Sequence, residues 1–161
     1  MMTDGILFNF GRNLIFLREK TEGLTHPESV LQPPWPGLNS LNWQVGHIAC
    51  FRNRLLDLLG EEPTLDPAIA QRYAAGSEPV LGDEPGIGQL DDLVRAIEAA
   101  QERILAAVPM IAPERAAEVL GAGQFTMTVG EWVMFYMRHE AYHIGQLHAP
   151  HAQAMAARGG A

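Results

Sequence analysis

His139, Glu140 and His143 fall in the run HEAYH, an H-E-x-x-H spacing that in zinc peptidases supplies two metal ligands and a general base. Histidines four apart on a helix stack on one face, one turn from each other, so both imidazoles can reach the same ion. A peptidase needs more than this. It needs a third ligand downstream and a strand edge to hold the peptide. The longer H-E-x-x-H-x-x-G-x-x-H pattern is missed, because Gly145 and His148 each come one place too early. A downstream Glu ligand is absent too, since Glu140 is the last acidic residue in the chain.

A third histidine lies far upstream. Trp43, His47 and Phe51 form a second i, i+4 stripe, and Leu41, Val45, Ile48, Leu55 and Leu59 make the adjoining arc apolar as well. A helix apolar over so wide an arc is buried on most sides, which places His47 inside. On the last helix the inward stripe reads Val129, Trp132, Tyr136, His139, His143, Leu147. A buried imidazole without a partner costs about 1–3 kcal/mol. One divalent ion held by His47, His139 and His143 would answer that cost three times. Such a site carries no ligand charge and keeps an open position, the layout of a catalytic rather than a structural metal centre.

Four helical segments must position these residues. The first runs from about Thr3 to Thr21. The second starts at Ser40, an N-cap residue, and ends near Leu59 before Gly60. The third covers about Gln89 to Val108. The fourth starts at Thr128, with Glu131 completing a capping box, and runs to about His148 before Pro150. No segment reads as a strand. The connections are long and rich in Pro and Gly, with short extra helices expected at Asp66 to Ala75 and Pro113 to Leu120. The expectation is an all-α fold, a four-helix bundle with long connections and a crossover between helices 2 and 3, built as one domain over residues 1–161.

Composition excludes several functions. The chain has 161 residues, 11 Lys plus Arg against 19 Asp plus Glu, and a net charge of -8. That balance opposes a nucleic-acid surface or an anionic membrane. No apolar run is long enough to span a bilayer, and the start of the chain lacks a secretion-signal pattern. Cys50 is the single cysteine, so an intrachain disulfide is impossible and a cytoplasmic setting is expected.

The run NWQVGHIACF on the second helix and HEAYHIGQL on the fourth together resemble the DinB/YfiT-like superfamily of metal-binding four-helix bundles. The W-x-x-G-H-I-A and H-x-x-x-H-x-G-Q-L features match in order and separation. The resemblance does not extend past Pro150. It implies that His47, His139 and His143 hold one divalent metal, zinc or nickel, and that the protein is a homodimer. Some members of that superfamily are thiol-dependent transferases or isomerases using mycothiol, bacillithiol or glutathione.

A tris-histidine metal acidifies either a bound water or a bound thiol, so hydrolysis and S-transfer are both chemically open. The resemblance favours a metal-dependent S-transferase acting on a small molecule; a hydrolase or a non-enzymatic metal-binding bundle are the alternatives. Glu140 is a candidate general base, although it sits about 100° around the helix from His139 and could instead bridge to another helix. Tyr136 is a candidate hydrogen-bond donor on the metal stripe. Trp43 and Trp132 are expected to wall the pocket and Gln146 to orient a ligand. Cys50 reads as core, and His26, His148 and His151 as solvated. Arg52 and Arg54 are expected to pair with carboxylates, within the protein or on an acidic thiol.

Overall fold

The computed structural model describes residues 2–121 and 125–159. In chain order the helices are α1 (Met2–Thr21), α2 (His26–Ser29), α3 (Leu41–Leu59), α4 (Pro67–Arg72), α5 (Leu90–Ala107), α6 (Pro113–Ala116), α7 (Val129–Gln146) and α8 (His148–Gly159). A 3-10 turn, Val108–Met110, follows α5. Two short strands, β1 (Val119–Leu120) and β2 (Met127–Thr128), precede α7.

Local chemistry sets the helix ends. Ser40 Oγ accepts from the Trp43 amide at 3.3 Å and opens α3. Gly60 closes it at φ 77°, a left-handed conformation that glycine takes without steric cost. Thr128 and Glu131 form the expected capping box on α7, with Glu131 Oε2 accepting from Thr128 N at 2.7 Å and Thr128 Oγ1 from Glu131 N at 3.2 Å. Asp91 and Asp92 sit in the first turn of α5, where they complement the helix dipole.

Two expectations are corrected. No segment of the sequence reads as a strand, but β1 and β2 pair antiparallel, Val119 with Thr128 and Leu120 with Met127. Strands of two residues carry no alternation to read. The fourth helix was expected to reach His148, but α7 stops at Gln146 and a new helix starts at His148. In a continuous helix the Pro150 ring would meet the Gln146 carbonyl; as the third residue of α8, it gives up an amide that would be unpaired anyway. α8 is tied back to α2 by Arg158, which pairs with Glu28 and donates to the Gly23 carbonyl.

The four long helices share an interior. α3 lies against α5 and α7, and α1 lies against the same two. One apolar cluster gathers Leu41, Val45, Ile48, Tyr73, Leu93 and Leu147; a second gathers Phe10, Leu55, Leu56, Ile104 and Val133. No helix among the described residues is long and apolar enough to cross a membrane.

A buried ion pair joins these helices. Arg52 on α3 donates through Nε and Nη2 to Glu140 on α7, at 2.7 and 2.8 Å, and through Nη1 to the Ile97 carbonyl on α5 at 2.6 Å. Its guanidinium lies 5.8 Å from the Phe10 ring of α1. The side chains are only 2% and 4% exposed. Removing one partner strands the other charge, so Glu140→Ala or Arg52→Ala should cost about 3–5 kcal/mol in urea unfolding, and the double variant Arg52→Met/Glu140→Leu should recover much of that loss. Single losses below about 1 kcal/mol would show that the pair does not hold the helices together.

Candidate metal centre

His47 comes from the middle of α3, His139 and His143 from the last turns of α7. Ligand atoms of the three lie within 4.8 Å of one another. His47 and His143 are buried and His139 is half-buried, so the cluster reaches solvent on the His139 side. His139 Nε2 and His143 Nε2 are 3.2 Å apart. Two nitrogens bound to one tetrahedral zinc at about 2.0 Å would be separated by roughly 3.3 Å.

The outer ring nitrogens decide what the inner ones can do. His47 Nδ1 is 2.7 Å from the Tyr73 carbonyl, which can only accept, so this nitrogen carries the proton. His143 Nδ1 donates likewise to Gln44 Oε1 at 2.8 Å. Both rings therefore keep Nε2 as a lone-pair nitrogen, the form in which a histidine binds metal. His139 Nδ1 is buried and has no hydrogen-bond partner. Three neutral rings own three protons, and two are committed outward. One proton remains to satisfy the nitrogens that face each other. Taking up a further proton is resisted: burial, aided by His47, lowers the His139 pKa to about 4 and that of His143 to about 3. Burial lowers that of His47 too. The donor set fits a divalent cation better than it fits protons.

Aromatic rings frame the cluster. Trp43 stacks on His47 at 4.6 Å and anchors its indole Nε1 to Ser77 Oγ at 3.1 Å. Phe51 stacks on His139 at 4.0 Å. Tyr136 packs between Phe51 and Phe135, and burial raises the pKa of its phenol, which stays protonated. Trp132 lies further along α7, against Phe135 and Tyr136. The Gln146 side chain lies near enough to His143 to oppose, as the smallest of the causes, the lowering of its pKa.

Other sequence expectations fare differently. Glu140 does not join the cluster; it is consumed by Arg52, the bridge to another helix that its angular position allowed. Cys50 is buried and its thiol pKa is raised by burial, and it is outside the ligand group. His26 is not a free loop histidine: its Nδ1 accepts from the Leu90 amide at 3.3 Å and its Nε2 faces Asp83, fastening α2 to the start of α5. His151 is partly buried and its pKa is lowered, burial first.

Gln44, Gly46 and Tyr73 were missed. Gln44 sits one turn before His47 on the same face, a spacing that could have exposed it. Tyr73 lies in the long α3–α5 connection, where no periodicity points to it. Its hydroxyl donates to Asn42 Oδ1 at 2.8 Å and accepts from Gly88 N at 2.9 Å, which locks the connection onto α3. Gly46 makes room for it: a Cβ there would fall 2.3 Å from the Tyr73 ring.

A family model described as the DinB superfamily matches residues 17–147. Among solved structures, a conserved protein from Enterococcus faecalis is similar, with a TM-score of 0.73 and 15% identity over 96% of this chain and 97% of that one. At that identity the likeness is one of fold. No curated protein matches the chain.

Two outcomes follow from the geometry. In metal-free protein, His139 and His143 bind protons less readily folded than unfolded. Their contribution to stability is full above about pH 6.5 and is lost as pH falls toward 4 and then 3. Urea midpoints of chelator-treated protein should drop between pH 7 and pH 5, and His139→Gln/His143→Gln should flatten that slope. Gly46→Ala should push Tyr73 off α3, costing about 1–3 kcal/mol of stability. It should also weaken metal retention, because His47 loses the acceptor that sets its tautomer. Unchanged metal affinity in that variant would refute the link.

Proposed function

The chain belongs to the DinB superfamily, and from its histidine cluster we propose that it is a metal-dependent enzyme whose reaction is S-transfer from a low-molecular-weight thiol. The observation that carries this is the meeting of three neutral imidazoles, two with fixed tautomers, at a half-exposed edge of the interior. His47, His139 and His143 would hold one zinc or nickel ion through Nε2. When bound, that ion supplies Lewis acidity, which favours the thiolate form of a thiol of the bacillithiol, mycothiol or glutathione type.

The protein's own groups do the remainder. Tyr73 and Gln44 hold the imidazole protons on the outer nitrogens. Trp43 and Phe51 exclude water from two sides of the cluster and fix the ring planes. Tyr136 keeps its phenolic proton and can offer it to a bound substrate. The electrophile is attacked at carbon: the S–C bond forms, the leaving group departs with its electron pair, and the thiol proton passes to solvent.

Hydrolysis is the weaker reading. A metal hydrolase relies on a free base beside the attacking water, and Glu140, the carboxylate next to a ligand in the sequence, is held by Arg52. We read the four long helices as a four-helix bundle with a crossover from α3 to α5, in a homodimeric cytoplasmic protein.

Protein purified without an affinity tag should retain roughly one equivalent of zinc or nickel per chain by elemental analysis, as expected for three protein ligands and an open position. His47→Ala, His139→Ala and His143→Ala should each reduce retention by at least tenfold. The wild type, and none of these variants, should conjugate a haloarene to a low-molecular-weight thiol. Stoichiometric metal without turnover on any thiol would leave a metal-binding bundle that is not an S-transferase; absence of metal would remove the reading altogether.

A further inference from the structure

Arg54 is a cation near the cluster that lies beside the Cys50 thiol and is paired with no carboxylate among the described residues. Arg52, its neighbour on α3, is spent on Glu140. Among the described residues Arg54 has no carboxylate within ion-pair distance. Asp57, one turn along α3, is exposed and makes no such pair with it. The guanidinium of Arg54 lies over the Phe51 ring, 4.8 Å from its centroid, and the other neighbour of that ring is His139, stacked at 4.0 Å. One aromatic ring thus separates an exposed cation from a metal-binding imidazole. Arg54 also lines an open surface cavity of about 230 Å³, with Cys50, Asp57, Pro67 and Gln71.

The charge count gives this placement meaning. Three neutral imidazoles bring no negative charge to a divalent ion. Glu140 is neutralised by Arg52. Arg54 then adds a further positive charge beyond the Phe51 ring, in a chain whose net charge is -8. A thiolate alone would offset part of that local excess. A ligand that also carries a carboxylate would offset more, and a guanidinium held flat on an aromatic ring presents its donors for a forked contact.

We propose that Arg54 receives a carboxylate of the substrate, so that the site selects an anionic, carboxylate-bearing thiol over a neutral one; this rests on the thiol reading given above.

The test uses the full chain loaded with cobalt(II), read by the thiolate-to-cobalt charge-transfer band, and two probes, 4-mercaptobutyrate and 4-mercaptobutanol. The wild type should bind 4-mercaptobutyrate on the order of tenfold more tightly, as one charge-assisted forked contact near solvent provides. Arg54→Gln should erase that preference and leave cobalt affinity and 4-mercaptobutanol affinity unchanged. Arg54→Lys should keep part of it. Arg138→Gln, which removes an exposed cation next to His139 in sequence, should keep all of it. Equal binding of the two probes by the wild type overturns the proposal, as does a preference that survives in Arg54→Gln, because the carboxylate would then be read by the metal or another group. Cobalt held with no band from either probe removes the thiol reading and this proposal together. A band without carboxylate preference removes this proposal alone.

Discussion

The forked contact between Arg52 and Glu140 is the constraint from which the site follows. Two charges taken out of water each lose several kcal/mol of solvation, and only a matched geometry with further hydrogen bonds offsets that. Here the guanidinium meets both carboxylate oxygens and a carbonyl of α5. Apolar packing tolerates small slides of one helix along another. A bidentate pair does not: moving α7 by one residue would aim the carboxylate elsewhere and leave two bare charges. Glu140 directly follows His139, and Arg52 lies just over a turn from His47. The interaction that fixes the register of α3 against α7 therefore also fixes the meeting of their histidines. We read the pair as a device for register, with stability a secondary gain.

A second constraint acts on protons rather than on helices. The cluster is closed enough that adding a proton is costly, although His139 is only half-buried. The carbonyl of Tyr73 and the amide of Gln44 hold the outer nitrogens as donors, so the inner lone pairs exist before any ion arrives. The first of these acceptors comes from the long connection, not from a long helix. That connection is fastened by the Asn42–Tyr73–Gly88 hydrogen bonds and by the Tyr73 ring seated on Gly46. A segment that looks like a linker thus sets the tautomer of His47.

The sequence revealed the long helices because their ends are written in local chemistry. Ser40, Gly60, Thr128 and Glu131 act within a turn of their own positions. The three histidines were legible for a similar reason, since each occupies a stripe whose period puts it inside. What local patterns omit is the identity of a partner far along the chain. Nothing near Tyr73 announces that its carbonyl will meet His47, and nothing near Glu28 announces Arg158. The helix after Gln146 was missed because Pro150 reads as a stop, although it is equally suited to a first turn. The paired strands were missed because two residues carry no alternation, and the contact that accompanies them, the Glu118 carbonyl accepting from Val129 N at 2.9 Å, has no local signal.

The H-E-x-x-H run shows how one spacing serves different ends. On any helix the two histidines share a face, and the glutamate after the first is turned about 100° away. In a peptidase the substrate cleft lies on the side to which that glutamate turns, so the carboxylate meets the attacking water. Here that side of α7 faces α3, and what waits there is Arg52, itself bonded to a carbonyl of α5. The histidines are unaffected, because their face is set by the spacing alone. The glutamate is converted from a base into a helix clamp by what the neighbouring helix presents. The motif by itself specifies two ligands for an ion, and the third ligand, the charge of the site and the role of the carboxylate belong to the helices packed around it.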